Sequence, residues 1–104
     1  DNTNKVLVEV SGSVAVTTGA NVVGIAIFNG TTCIHAAPVY SDGPAGTEPF
    51  ALSFLDSPAS ASAVTYSVRA GAASETIRFN GTTSARYFGA KAATTLTLTE
   101  ISAT

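Results

Sequence analysis

The chain has one cysteine, one histidine and no tryptophan among its 104 residues. A single cysteine, Cys33, cannot form an intramolecular disulfide or a cysteine-rich metal site. Without tryptophan, and with three tyrosines, the chain is poorly equipped to stack sugar rings on an aromatic platform. The sequence also lacks the G-x-x-x-x-G-K and G-x-G-x-x-G motifs of phosphate-binding loops. These absences argue against the commonest cofactor, metal and nucleotide sites.

Charged residues are scarce as well, at 12% of the chain against about 25% in an average soluble domain. Five basic residues are outnumbered by seven acidic ones and do not cluster, so we expect no nucleic-acid partner. A net charge of -2 supplies little repulsion between copies. Because few ions would lose water when such a surface is covered, the composition favours a permanent oligomer or a lattice component. The alternative is a monomer coated with serine, threonine and alanine.

No apolar run approaches the roughly 20 residues that a membrane helix needs. The longest, Val22–Phe28, has the length of a strand, so we expect no membrane insertion. No targeting segment is recognisable. The length fits one domain, residues 1–104. The chain begins Asp-Asn-Thr-Asn without methionine, which is typical of a fragment or a processed product.

Side-chain alternation dominates the first segment. Valine occupies every even position from 6 to 16 except position 12, which is glycine. Eleven residues at about 3.3 Å each span roughly 36 Å, which is long for one strand. Gly12 is therefore predicted to mark a bend or a bulge.

The next segment, Val22–Phe28, is apolar on both parities, which predicts a strand covered on both faces. Asn29-Gly30 then predicts a hairpin with a type I′ turn. The return strand is Thr32–Ala37, and Pro38 ends its central part or places it at a sheet edge. Ser41–Thr47 is dense in turn residues and is predicted as a loop.

Further alternating segments complete the pattern. They lie at Phe50–Phe54, Val64–Val68, Ile77–Phe79 and Leu96–Leu98, with Leu96 and Leu98 facing inward, and Arg86–Phe88 is a further short candidate. Seven to eight short strands separated by turn signals predict an all-β fold, an antiparallel β-sandwich that is jelly-roll-like. Phe-Asn-Gly-Thr-Thr occurs at both Phe28–Thr32 and Phe79–Thr83. Two hairpins with the same turn chemistry explain this repeat better than a duplicated half-domain.

Nucleophilic catalysis would have to use His35, the only histidine. Cys33 lies two positions away, so both side chains are predicted on the same face of a strand. Nothing signals an oxyanion hole or a third group that orients the base. Cys33 and His35 alone also cannot form a metal site, because two ligands do not complete a tetrahedral coordination shell. Two residues sharing a sheet face is the favoured interpretation.

Paired carboxylates would have to come from acids at predicted strand ends or turns: Glu48, Asp56, Glu75 and Glu100. Asp56 precedes Ser57-Pro58, where a carboxylate is predicted to accept local backbone N–H groups. The sequence thus predicts a protein that is not an enzyme, with no catalytic residue, no cofactor and no metal.

Three arginines are candidate contact residues. Arg69 and Arg78 oppose the apolar parity of their strands, so both are predicted to face outward, to solvent or to a neighbouring subunit. Arg86-Tyr87-Phe88 places one guanidinium and two rings near a predicted turn. An intersubunit or receptor contact through Arg69, Arg78, Arg86, Tyr87 and Phe88 and an ordinary solvated edge are equally consistent with this pattern.

Four segments resemble a broad family of structural modules found in the fibre, tail and capsid-decoration proteins of tailed bacteriophages. They are Lys5–Gly12 (KVLVEVSG), Phe54–Ala59 (FLDSPA), Thr65–Arg69 (TYSVR) and Leu96–Ile101 (LTLTEI), in the same order over nearly the whole chain. The resemblance implies a jelly-roll-like β-sandwich, commonly trimeric and loosely similar to the tumour-necrosis-factor-like fold. Such modules often have another strand before the Lys-Val-Leu run, where this chain has four residues. The chain is then either a complete domain or one that completes its sheet with another chain.

The resemblance implies a function at the virion surface, as a capsid decoration (cement) protein or a fibre domain. The expected partners are further copies in a homotrimer and other virion proteins such as capsid or tail. The alternative is a receptor- or carbohydrate-binding tip of a phage fibre, which would contact a host surface receptor through the loops Ser41–Thr47 and Thr82–Lys91. A small hydrolase that depends on His35 is the third hypothesis.

Overall fold

The computed structural model describes residues 3–17, 19–43, 47–60, 62–72, 76–81 and 93–102. Within these ranges the chain forms seven strands and no helix, so no helix there is long and apolar enough to cross a membrane. The strands are β1 (Lys5–Val16), β2 (Asn21–Asn29), β3 (Thr32–Ser41), β4 (Glu48–Asp56), β5 (Tyr66–Ala72), β6 (Ile77–Phe79) and β7 (Thr95–Ile101). Arg86–Phe88, the further strand candidate, lies outside the described residues.

Two antiparallel sheets form a sandwich. In sheet A, β1 pairs with β4 along one edge and with β7 and β6, end to end, along the other. Sheet B has the order β3-β2-β5. Four of the six connections between the described strands cross from one sheet to the other. The predicted all-β class and the antiparallel β-sandwich are confirmed.

The core lies between the two sheets and follows the predicted alternation. The even-numbered valines of β1 from Val8 to Val16 are buried, and Val6 packs against them while partly exposed. Val23, Ile25 and Ile27 of β2 are fully buried and face them from sheet B. Because side chains alternate across a strand, the period-2 pattern of the sequence was sufficient to assign this face.

Gly12 does not mark a bulge, contrary to the sequence-based prediction. The β1–β4 ladder runs without a shift from Val6–Asp56 to Val14–Glu48, with Gly12 opposite Phe50. A Cβ at position 12 would lie 2.5 Å from Thr94 Oγ1 and 2.9 Å from Phe50 Cζ. Glycine is needed here because the Phe50 ring and Thr94 occupy the space that a side chain would fill.

Gly12→Ala is therefore expected to destabilise the fold by about 1–3 kcal/mol, the usual cost of overpacking a core. Gly71→Ala is the matched control, since a Cβ at that strand position meets no heavy atom within 4 Å. Urea unfolding of both variants in dilute solution measures the difference. Equal midpoints for Gly12→Ala and Gly71→Ala would contradict this explanation of Gly12.

β2 is covered on one face only, so the prediction of coverage on both faces is wrong for the single chain. Val23, Ile25 and Ile27 are fully buried, whereas Val22 on the other parity is 51% exposed. The apolar residues of the second parity point away from sheet A, and no described element of the chain packs over them.

Leu96 and Leu98 of β7 share the face of Val10 and Val8, their partners on β1, as predicted. They are nevertheless 37% and 49% exposed, because sheet B does not extend over this edge of sheet A. The predicted inward direction is therefore right, although the two side chains are not buried.

The hairpin between β2 and β3 forms where it was predicted, with a different turn. Asn29 pairs with Thr32 as a strand residue, so the two loop residues are Gly30 and Thr31. Gly30 has φ +59°, while Asn29 is not among the residues with positive φ. Glycine at the first loop position suits a type II′ turn rather than the predicted type I′ turn.

The repeated pentapeptide does not adopt the same conformation at both sites. Asn80 has φ +63°, unlike Asn29, and is buried beside β1. Its backbone N–H donates to the Ser13 carbonyl at 2.9 Å, and its Oδ1 accepts from the Ser13 N–H at 3.3 Å. Shared turn chemistry was the wrong explanation, because Asn80 docks onto the middle of β1 while Asn29 extends β2.

Candidate functional site

The outward side of sheet B is a weakly charged surface built from three described strands, and we call it the outer face of sheet B. Cross-strand pairing puts Val22 beside Tyr40, Gly24 between Pro38 and Gly71, and Ala26 between Ala36 and Arg69; Phe28 lies between Cys33 and Ser67. Partners in an antiparallel ladder project to the same face, so these eleven residues form one continuous surface.

This face is mostly apolar, and about half of its side chains are small. Val22 and Tyr40 are adjacent and 51% and 56% exposed. Arg69 is the one charged residue of the face, and its guanidinium carbon lies 4.2 Å from the centroid of the Phe28 ring. This cation–π contact holds the long Arg69 side chain flat against the sheet. A surface with one charge loses little hydration energy when another protein covers it.

The dimensions of the face suit a protein contact. Three strands about 4.8 Å apart and nine residues at about 3.3 Å each give roughly 14 by 30 Å, a plan area of about 400 Å². Side chains that protrude from the sheet increase the accessible area beyond this plan area. A standard interface buries about 800 Å² on each partner. The outer face of sheet B therefore supplies a large part of one interface.

Arg78 does not join Arg69 in a common site. It pairs with the buried Ala15 on the outward side of sheet A, whereas Arg69 belongs to sheet B. Its side chain is half-buried rather than freely exposed, and its Nε is buried without a hydrogen-bond partner. The prediction that both arginines face outward is right in direction but wrong in exposure for Arg78. Arg86, Tyr87 and Phe88 lie outside the described residues.

Cys33 and His35 do not share a face, contrary to the prediction. The β2–β3 register shifts between Ile27 and Phe28, so that Ile27 pairs with His35 and Phe28 with Cys33. Ile34 is the extra residue of this β-bulge, and one extra residue reverses the alternation. His35 thus points to the core side and Cys33 is exposed on the outer side.

His35 is a packing residue at the edge of the sandwich. Its ring stacks on Phe54 of β4 with the centroids 5.3 Å apart and an interplanar angle of 19°. The stack bridges sheet B and sheet A. Among the described residues, no group of three or more histidine, cysteine or acidic side chains could hold a metal ion.

Asp56 occupies a buried polar cluster rather than a solvated turn. Its Oδ2 accepts hydrogen bonds from the Tyr66 hydroxyl at 2.7 Å and from Asn29 Nδ2 at 3.2 Å. Both donors belong to sheet B, so the carboxylate at the end of β4 ties the two sheets together. The prediction that Asp56 accepts local backbone N–H groups is therefore wrong: its partners come from the opposite sheet.

Burial, together with the hydrogen bond and the negative charge of Asp56, raises the pKa of Tyr66 from 10.0 to about 12. The folded state thus holds the phenol proton more tightly than the unfolded state does. The resulting stability is present below pH 10 and is lost as the pH rises from about 10 to about 12.

Tyr66→Phe is expected to remove this alkaline step. At pH 7 the variant should lose about 1–3 kcal/mol, because the buried carboxylate loses its shorter hydrogen bond. Between pH 10 and pH 12 the melting temperature of the unmodified protein should fall more steeply than that of the variant. Thermal unfolding at half-unit pH steps measures both curves, and parallel curves would contradict the assignment.

The loops proposed for receptor contact are only partly described. Ser41 was predicted as a loop residue, but it is the last residue of β3 and is fully buried. Its Oγ accepts a hydrogen bond from the Val16 N–H at 3.2 Å. Residues 44–46 of the first loop and residues 82–92, which include the whole of the second loop, lie outside the described part of the chain.

A shallow depression of about 420 Å³ lies on the outward side of sheet A. Its polar lining comes from Glu9 and Ser11 of β1, Ser53 of β4, and Thr95 and Thr97 of β7. One carboxylate among four hydroxyls can hydrogen-bond a polyhydroxylated ligand, although no aromatic ring lines the depression to stack on a sugar. The depression was not predictable from the sequence, because its residues come from three strands whose pairing the sequence does not reveal.

The outer face of sheet B was also missed as a site, although its signal is in the sequence. The apolar residues on both parities of β2 predicted a second cover, and none of the described strands supplies it. Comparisons of the chain with protein-family models, with curated proteins and with solved structures found no match.

Proposed function

We propose that this protein is a structural module of a tailed-phage virion surface, working as a homotrimer that decorates the capsid or forms a fibre domain. The observation that carries the proposal is the uncovered outer face of sheet B, where Val22 and Tyr40 stand exposed beside small residues. The four sequence segments that resemble phage modules supply the virion context and the trimer.

Assembly explains the composition of this face. Exposed apolar patches on monomers are usually small, and larger ones mark interaction sites. A closed threefold ring uses heterologous contacts, so each subunit contributes the outer face of sheet B and a second, different patch. Affinity then comes from buried area and from Arg69 at the interface, since arginine is enriched in interfaces while most other charges are depleted.

The same contact gives a decoration protein its effect. A trimer that binds the assembled shell but not its free subunits stabilises the shell by mass action, in proportion to the logarithm of its concentration over its dissociation constant. No catalytic group is required for this function. A protein with one histidine, engaged in ring stacking, suits it.

A carbohydrate- or receptor-binding fibre tip is the second candidate, and the hydroxyl-lined depression around Glu9 favours it. A glycan array distinguishes the two functions. Binding that Glu9→Gln abolishes, while the oligomer persists, would support the tip function. A decoration protein should bind no glycan and should bind capsids.

Immunogold labelling tests the virion context directly. Antibodies raised against the purified chain are applied to intact virus particles produced from the genome that encodes it. We expect gold on the outside of the particles, on the capsid for a decoration protein or on the fibres for a fibre domain. Unlabelled particles in a preparation whose denatured blot contains the chain would contradict a surface position.

A further inference from the structure

The outer edge of β7 is the least protected strand edge in the described structure. β7 pairs with β1 through seven regular residue pairs, and no described strand pairs with its other side. All seven residues are exposed, including Leu96 and Leu98. A regular strand with a bare edge presents a row of free backbone donors and acceptors to another strand.

The other edge strands carry features that hinder such pairing. β3 contains Pro38 and the bulge at Ile34, and β6 has three residues. β4 begins with Glu48-Pro49 and is packed along β3 through the Phe54–His35 stack. β5 contains Arg69 and Gly71. β7 has no proline, glycine, lysine or bulge, and it alternates threonine with leucine.

We propose that β7 pairs antiparallel with β7 of a second copy of this chain, across a twofold axis at Thr97. A twofold contact needs a self-complementary surface. Thr95–Thr99 reads Thr-Leu-Thr-Leu-Thr, which is the same in both directions about Thr97. In this register each Leu96 lies opposite Leu98 of the second copy, and threonine lies opposite threonine.

Glu100, the single charged residue of β7, also favours antiparallel over parallel pairing. Glu100 lies opposite Thr94 of the second copy in the antiparallel register, so the two Glu100 residues are offset by six positions, about 20 Å. Parallel, in-register pairing would place the two carboxylates on neighbouring strands, and adjacent like charges are destabilising. To pair equally well, a strand from an unrelated protein would need the same alternation of threonine and leucine, whereas β7 of a second copy already has it.

The contact is distinct from the outer face of sheet B and goes beyond the proposed trimer. It joins the two sheets A edge to edge, in the order β4-β1-β7-β7-β1-β4, and packs the exposed leucines of both copies into one apolar strip. A seven-residue strand is about 24 Å long, so a single pairing is small. Several such pairings between two oligomers reinforce one another, which makes β7 suited to link one oligomer to the next.

Disulfide trapping tests the register. In a Cys33→Ser background, which removes the exposed native thiol, Thr97→Cys places two thiols across the proposed axis. Directly opposed strand residues have Cα atoms about 4.5–5.5 Å apart, within the 4.4–6.8 Å that a disulfide accepts. Thr99→Cys is the matched control on the same side of the same strand, because its two copies would be four positions apart, about 14 Å.

We expect Thr97→Cys to form a covalent dimer under mild oxidation at least ten times faster than Thr99→Cys, and Leu98→Lys to abolish that difference while the protein remains folded by circular dichroism. Equal rates for the two cysteine variants, or no dimer from Thr97→Cys at millimolar concentration, would overturn the proposal. The mass of the uncrosslinked Cys33→Ser protein reports the trimer separately, so failure of one contact is distinguishable from failure of the other.

Discussion

Replacing Val22 with glutamate is expected to convert the proposed trimer into a folded monomer. Val22 is 51% exposed in the single chain and lies beside Tyr40 on the outer face of sheet B. A carboxylate at this position would be buried without a partner in the assembly, at a cost of roughly 3 kcal/mol. That cost weakens association by more than about 100-fold. Light scattering coupled to size exclusion gives the mass of the variant.

Leu55→Glu is the matched control for this substitution. Leu55 is 48% exposed, so it has nearly the same exposure as Val22, but it lies on β4 of sheet A, away from the outer face of sheet B. We expect this variant to keep the mass of the unmodified oligomer. Dissociation by both glutamates would mean either that general surface charge controls assembly or that Leu55 belongs to the second patch of the ring, and dissociation by Leu55→Glu alone would contradict the role of the outer face of sheet B.

Asp56→Ala should produce the largest loss of stability among the polar substitutions. The carboxylate is buried and accepts hydrogen bonds from Tyr66 and Asn29 of the opposite sheet. Its removal leaves a hydroxyl and an amide without their acceptor. The expected cost is about 2–4 kcal/mol, a large part of the 5–15 kcal/mol that stabilises a typical domain. Urea denaturation followed by circular dichroism measures it.

Asp56→Asn separates hydrogen bonding from charge. Both donors converge on one oxygen of Asp56, Oδ2, and the amide oxygen of asparagine can replace a single acceptor. We therefore expect Asp56→Asn to cost less than half as much as Asp56→Ala. Equal costs would mean that the negative charge, rather than the acceptor geometry, holds the sheets together.

The arrangement of the core was predictable because it depends on a local rule. Alternation along β1 assigns Val8, Val10, Val14 and Val16 to one face without any knowledge of the partner strands. The same rule correctly gave the outward direction of Arg69 and the inward direction of Leu98. Whether a residue on the inward side is covered depends on how far the opposite sheet extends, and that extent is a property of the whole fold. The exposure of Leu98 could therefore not be predicted from the sequence.

Local rules also failed where an irregularity intervened. The bulge at Ile34 reverses the alternation along β3, so a strict period of two put Cys33 and His35 on the same face. No proline or glycine marks this position in the sequence. Asp56 was misplaced for a different reason: its partners, Tyr66 and Asn29, are 10 and 27 positions away along the chain, and only the packing of the two sheets brings them together.

The candidate site was partly predictable from the sequence. The apolar parities of β2 indicated two covered faces, and the structure shows one covered face and one bare face. The sequence therefore indicated apolar residues on both faces of β2, but not whether the chain itself or another molecule covers the second face. A single chain and an oligomer bury residues by the same physics, so a hydrophobic pattern does not tell an intramolecular cover from an intermolecular one.

Sedimentation equilibrium of the unmodified chain at micromolar concentration tests whether the outer face of sheet B is an intersubunit surface. If the outer face of sheet B is an intersubunit surface in a threefold ring, the particle mass should be about 31 kDa, three times the 10.4 kDa of one chain. A homogeneous species of 10.4 kDa over the whole concentration range would contradict the proposed threefold ring.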